Sequence, residues 1–355
     1  MAIEKQLPNE PEAIQVDSLA GTVPITEEAI PEVEIELSDN ENMTAEPEEV
    51  NIPHGANLAE FLEEDELNKI SDNLRSEYEM DKSSRSDWEK SYVDGIKLLG
   101  FKYEERARPF QGASGVTHPL LAEAATQFQA QAYKELLPPG GPVKCNIVGV
   151  SDINTEDQAQ RVREFMNYQI TNVMEEYDPE MDQLLFNLGL AGSAFKKIYY
   201  DGQEQRAKAS FVPVEDLIVP FYATDLASSP RVTHLVKQTF NDVRKNQVSG
   251  FYRDVEIRPS LVEDNEVQEA YQDIQGVSST AYGEEDDNEY TLFEVHCDLN
   301  IPGFEDVDLQ SGEPTGIRLP YIVTIDEGSG EVLSIYRNFK QDDPLRKKNT
   351  ILCTL

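Results

Sequence analysis

Apolar positions recur along the first two thirds of the chain at the three- and four-residue intervals of helices, and later at the two-residue interval of strands. Leu58, Phe61, Leu62, Leu67, Ile70 and Leu74 fall on one helical face with acids on the other. A second helix after Lys82-Ser83-Ser84 carries Trp88, Tyr92, Ile96 and Leu99 as a core stripe, with Gly100 placed as its C′ glycine. A third helix, Leu120 to Leu137, is stopped by Pro138-Pro139-Gly140-Gly141-Pro142. Its face of Leu121, Ala124, Ala125, Phe128, Ala132 and Leu136 is mostly small, so another backbone can approach closely. The pattern then predicts a strand over 143–150 and a helix over 155–176. Asp178 and Pro179, as N-cap and N1, open a further helix running to about Ala191.

The C-terminal part reads mainly as strands. Residues 193–200 and 207–212 form a predicted hairpin across Asp201-Gly202, and Arg231 to Phe240 is a further strand, followed by a short helix capped by Asn241. A helix is predicted from Pro259 to Ile274, a loop over 276–288, and strands over 290–299, 317–326 and 332–338. The last two strands are joined by Glu327-Gly328-Ser329-Gly330. The fold class is therefore α+β, with several helices packed on mixed or antiparallel strands.

Charge changes the picture at both ends of the argument. The net charge is −38, and residues 1–52 hold fourteen acids against Lys5 alone. That segment has no sustained period and buries too little apolar surface to offset its ordering entropy, so a disordered acidic tail is expected there. The short alternation Pro31 to Leu37 could pair as a strand only with neighbours. The body is acidic too, which opposes tight or sequence-reading binding to a phosphate backbone. It is compatible with DNA as a passing cargo that must not stick. No apolar run approaches the roughly 18–20 residues of a membrane span, and no signal-peptide pattern opens the chain, so a cytosolic site of synthesis and no membrane partner are expected.

The densest stretch is Arg108-Pro109-Phe110-Gln111-Gly112-Ala113-Ser114-Gly115-Val116-Thr117-His118-Pro119, a loop whose prolines and glycines fix its shape. Thr117 is placed to cap the third helix, with His118 and Pro119 in its first turn. From physics alone this is a rigid loop before a core helix. The string Pro109 to Leu121, with Gln127 to Leu137 and Gly140 to Val143, resembles the portal, or head-to-tail connector, protein of short-tailed double-stranded-DNA bacteriophages. The resemblance covers roughly Trp88 to Lys348 and is strongest in 108–143, 189–220 and 320–338. It implies a portal wing-like domain over 53–348. Residues 349–355 then form an atypical short C-terminus, with the family's stem, clip and crown or barrel absent.

A search for chemistry excludes more than it finds. No G-x-x-x-x-G-K-[ST] string exists, and Gly112-Ala113-Ser114-Gly115 lacks the lysine and preceding strand of a phosphate loop. His54, His118, His234 and His296 have no second His or Cys at helical metal-ligand spacing. Cys145, Cys297 and Cys353 form no ligand pattern, and His296 and Cys297, adjacent on a strand, point to opposite faces. The acidic run 284–287 lacks the spaced ligands and glycine of a calcium loop. No catalytic, cofactor or metal residue is assigned, and a non-enzymatic structural protein is expected.

What the resemblance implies is a virion protein at the capsid vertex. There, twelve copies form a ring through which DNA is packaged and ejected. Partners would be other copies of the chain and a major capsid or scaffold protein, with terminase motor and tail adaptor docking on the absent regions. Candidate subunit-contact or structural residues are Arg108, Phe110, Gly112, Gly115, His118, Ala125, Phe128 and Ala132. The rival is an acidic interaction module, scaffold-like or a DNA mimic, that binds a basic partner.

Overall fold

The computed structural model describes residues 52–100, 110–112, 118–202, 204–259, 266–276, 289–307, 313–349 and 352–354. Residues 1–51 of the acidic tail expected over 1–52, and residues 277–288 of the loop predicted over 276–288, lie outside the described residues.

A 3-10 turn, Leu58–Glu60, precedes helices α1 (Glu64–Ser84) and α2 (Ser86–Leu99). Then come α3 (Leu120–Leu136) and α4 (Ile153–Tyr168), which runs into a π turn (Gln169–Val173), and α5 (Tyr177–Ala191). Strands β1 (Phe195–Asp201), β2 (Arg206–Val212), β3 (Leu217–Ile218) and β4 (Arg231–Thr239) follow, then α6 (Phe240–Val248) and α7 (Glu266–Gln275). The chain finishes with β5 (Glu289–Leu299), β6 (Leu319–Asp326), β7 (Val332–Arg337) and β8 (Leu352–Thr354). This is an α+β fold. Its described strands pair antiparallel throughout, in a five-stranded sheet of order β3-β4-β5-β6-β7 and a three-stranded sheet of order β2-β1-β8.

The main core forms because β5 and β6 alternate. Phe293, Val295 and Cys297 on β5 and Tyr321, Val323 and Ile325 on β6 share one face, and α1 covers it with Leu67, Leu74 and Tyr78. Acids in the first turn of α1 and Lys82 in its last complement the helix dipole. Polar clamps then lock the helical pair to the strands. Arg85, between α1 and α2, donates to the carbonyls of Val214, Glu215 and Leu217 at 3.1, 2.7 and 3.0 Å. Arg231 on β4 grips Asp81 of α1 with two bonds of 2.7 and 2.8 Å, the fork geometry that favours arginine. The open edge of β7 is covered by Asn57, which donates to Leu333 O at 3.1 Å and accepts from Ile335 N at 2.9 Å.

Several local expectations are corrected. Residues 143–150 form no strand: Val143 gives its backbone groups to the Asn167 amide, at 2.9 and 3.3 Å, and the residues after it pair with no strand among the described residues. The helix predicted over 155–176 starts at Ile153, held by a reciprocal Asp152–Thr155 capping box, and gives way to the π turn after Tyr168. The helix predicted from Asp178-Pro179 starts at Tyr177, with Asp178 in its first turn. α3 begins at Leu120, so Pro119 rather than Thr117 stands at the N-cap and no side chain caps it. His118 precedes the helix, and Thr117 lies outside the described residues. Thr239, not Asn241, caps α6, accepting from Asp242 N. Gly100 ends α2 with ordinary negative φ, so its use is space: a Cβ there would strike Ile274 of α7.

The β6–β7 turn is held by the buried Asp326. Its Oδ2 accepts from the backbone of Arg258 and of Ser329, at 3.2 and 2.9 Å, and from the Ser329 hydroxyl at 2.6 Å. A Cβ on Gly328 would run into the carbonyl oxygens of Arg258 and Pro259, which are fixed backbone. Gly328→Ala is therefore expected to cost about 1–3 kcal/mol, read as a lower urea midpoint. An unchanged midpoint would show that the turn relaxes freely.

Candidate functional site

The second face of the five-stranded sheet carries polar groups that strand alternation forces inward. Leu292, Glu294 and His296 point to this face, opposite Phe293, Val295 and Cys297. Register places His234 of β4 and Thr324 of β6 directly beside Glu294. Lys197, from β1 of the other sheet, reaches across and donates to both carboxylate oxygens of Glu294 at 2.6 Å. His296 Nε2 is 3.0 Å from Glu294 Oε1, and since a carboxylate only accepts, Nε2 carries the proton. His234 Nδ1 stands 3.9 Å from the same oxygen, beyond hydrogen-bonding reach, and contributes as a close dipole.

Burial alone would raise the Glu294 pKa, but the two imidazoles and the Lys197 charge overcome it and hold the carboxyl well below its usual range. Burial pushes His296 down, against the pull of Glu294, so its imidazole is neutral near pH 7. The group is thus an ionised Glu–Lys pair with a neutral histidine donor.

This pair lies at the floor of a cleft of about 1440 Å³ between the end of the β1–β2 hairpin and the α6 side of the large sheet. Tyr199, Tyr200, Phe251, Tyr252 and Tyr336 give it aromatic walls. The charged groups lining it are all engaged: Lys208 with Asp201 and Glu204, Lys237 with Glu289, Asp242 with Lys245, and Lys197 with Glu294. The Lys197–Glu294 pair ties the two sheets together across this cleft. Among the described residues, no group of three or more His, Cys, Asp or Glu side chains is placed to hold a metal ion.

A second buried cation lies nearby. Among the described residues Lys196 Nζ has no hydrogen-bond partner; it stacks 3.8 Å over the Tyr177 ring, and burial pulls its pKa down.

The residues singled out from sequence do not converge on this centre. Arg108 and Gly115 lie outside the described residues. Phe110, Gly112 and His118 are exposed, and Gly112 has a left-handed φ of 91° with open space around it. Ala125 is the buried residue of α3, and with Phe128 it faces Gly189 of α5, where a Cβ would meet Phe128 at 3.2 Å. Ala132 packs against the cluster of Met181, Leu184, Leu185 and Ala194. The small-residue face therefore receives a backbone of the same chain.

No family model matches this chain, and no similar curated protein is found. The likeness to portal proteins accordingly rests on the quoted residues. Sequence reasoning missed the Lys197–Glu294–His296 group. Its one visible signal was an acid and a histidine two residues apart within the apolar middle of a strand, Leu292 to Cys297. Lys197 could not be assigned to it, because the partner sits 97 residues away.

Glu294→Gln, which leaves the mostly covered Lys197 without its charge partner, is expected to cost about 1–3 kcal/mol in denaturant unfolding. Lys196→Met removes a cation without orphaning an ion-pair partner and should be neutral or stabilising by about 1 kcal/mol. The depressed His296 contributes stability that is full above its unfolded pKa, about 6.5, and is lost as pH falls from there through the folded value. The Glu294 contribution persists until pH drops below the ordinary carboxylate range. Unfolding midpoints measured from pH 7 to pH 5 should thus decline, and His296→Asn should flatten that decline. An equal slope in the variant would remove His296 as its source.

Proposed function

We propose that this chain is a structural, non-enzymatic portal protein, supplying the wing-like part of a ring at a phage capsid vertex through which double-stranded DNA is packaged and ejected. The resemblance of the 109–143 string is the ground for naming the family. The observation that carries the assembly role is where that string puts its apolar side chains. Phe110 and Leu120 are each 68% exposed, and Phe128 and Leu136 are also open, while Ala125 is the buried residue of α3. A capped core helix would bury such residues; a helix that meets other molecules leaves them outside.

The acidic charge suits a conduit wall that repels phosphate, and the fully engaged charges of the cleft suit a scaffold. In this reading the chain meets other copies of itself and a capsid or scaffold protein. Contacts with the terminase motor and tail adaptor belong to family regions that have no counterpart before residue 348. The second reading, an acidic module or DNA mimic, is favoured by the net charge of −38. It calls for a basic partner whose binding weakens steeply with salt.

Sedimentation of the purified full chain across concentration and salt separates the two. Ring-sized species that grow with concentration are expected. A chain that remains monomeric at high concentration and moderate salt, yet binds polycations, would replace the portal reading with the acidic-module one.

A further inference from the structure

Helix α4 is the anomaly of the fold. It is 16 residues long and none of them is buried. Its apolar stripe, Val162, Phe165 and Met166, faces solvent, and the arm leading into it leaves Val148 98% and Val150 88% exposed. Its described ties to the body are its own continuation into the π turn and the Asn167 bonds to Val143. A helix of this length is marginal by itself, and most helical stability comes from packing an apolar face. An exposed stripe of large apolar side chains beside an exposed apolar arm marks an interaction surface.

Charge selects the occupant. The chain carries −38, yet residues 143–173 hold Lys144, Arg161 and Arg163 against Asp152, Glu156, Asp157 and Glu164, a single net negative charge. A basic partner would be drawn to the strongly acidic surfaces elsewhere. Two molecules that both carry −38 repel at every acidic face and meet at least cost where the local charge is nearly zero and the surface apolar.

We propose that the face of α4 formed by Val162, Phe165 and Met166, with the arm at Val148 and Val150, is a contact surface for a second copy of this chain. This rests on the assembly reading above and gives it a location. The surface makes part of its contact through an apolar stripe, while the rest of each molecule resists approach. Self-association through it must therefore strengthen with added salt, as repulsion between the acidic bodies is screened. Association with a basic partner would weaken.

The test is sedimentation equilibrium on the full chain and on the full-length double variant Val162→Asp/Phe165→Asp, at low and moderate salt. Circular dichroism and the unfolding midpoint serve as fold controls. Both side chains are exposed, so the monomer should keep its fold, and the variant should associate at least about tenfold more weakly. Hydrogen exchange on the unaltered chain supplies a measurement independent of the variant: amides of 153–168 should become more protected as concentration rises. If the unaltered chain assembles and the variant assembles equally well, or if α4 exchange is independent of concentration in the assembled chain, the α4 surface is wrong and the assembly reading stands. A chain monomeric under all conditions overturns both. Association that weakens with salt overturns the choice of a second copy as occupant.

Discussion

An ionised carboxylate, mostly covered, in the middle of the central strand is the constraint around which the rest of the strand layer is arranged. Glu294 sits on β5, between β4 and β6, at the cleft wall, where its side chain is four-fifths covered and water can solvate it only in part. Removing a charge from water costs several kcal/mol unless partners replace the solvent. The large sheet supplies His296, and the three-stranded sheet supplies Lys197, so the charge is balanced only when the two sheets stand in one mutual placement. The pair acts as a register pin between two layers. The aromatic cleft beside it is the space left once that distance is set.

The opposite face of the same sheet is governed by burial. Phe293, Val295 and their neighbours are covered by α1, and the arginines at positions 85 and 231 convert that packing into a fixed orientation by satisfying carbonyls and Asp81. Asn57 caps the β7 edge by imitating a strand. One part of the molecule is therefore over-determined, with apolar contacts and charge-assisted bonds agreeing on a single arrangement. The α4 arm is the reverse, a helix with a good cap and no covered face.

This contrast bears on function. In the well-fixed part the Arg231–Asp81 and Lys197–Glu294 pairs and the Asp326 turn bonds face inward. The apolar surface open to other molecules is concentrated in α3, α4 and the arm between them, near the string that resembles portal proteins. Strong negative charge over the rest of the chain opposes the approach of nucleic acid and of any other acidic molecule.

The α+β class, nearly all the strands, a helix at each of α1 to α7, and the opposite facing of His296 and Cys297 were legible in the sequence. These follow from periodicity and alternation, which are local. The sequence also exposed the small face of α3, though not that Gly189 of the same chain would fill it. Only the tertiary structure decided where a segment found partners. Residues 143–150 have the composition of a strand but pair with none, and Val143 at their start bonds to the Asn167 side chain. Residues 352–354, set apart by their lack of family resemblance, add a strand to β1 and bury Leu352. α4 has a good amphipathic stripe that the chain itself never covers. The Lys197–Glu294 pair was equally invisible. Sequence spacing carries information over one or two turns or across one hairpin, whereas the balance of a buried charge is settled by whichever group the whole fold brings to it.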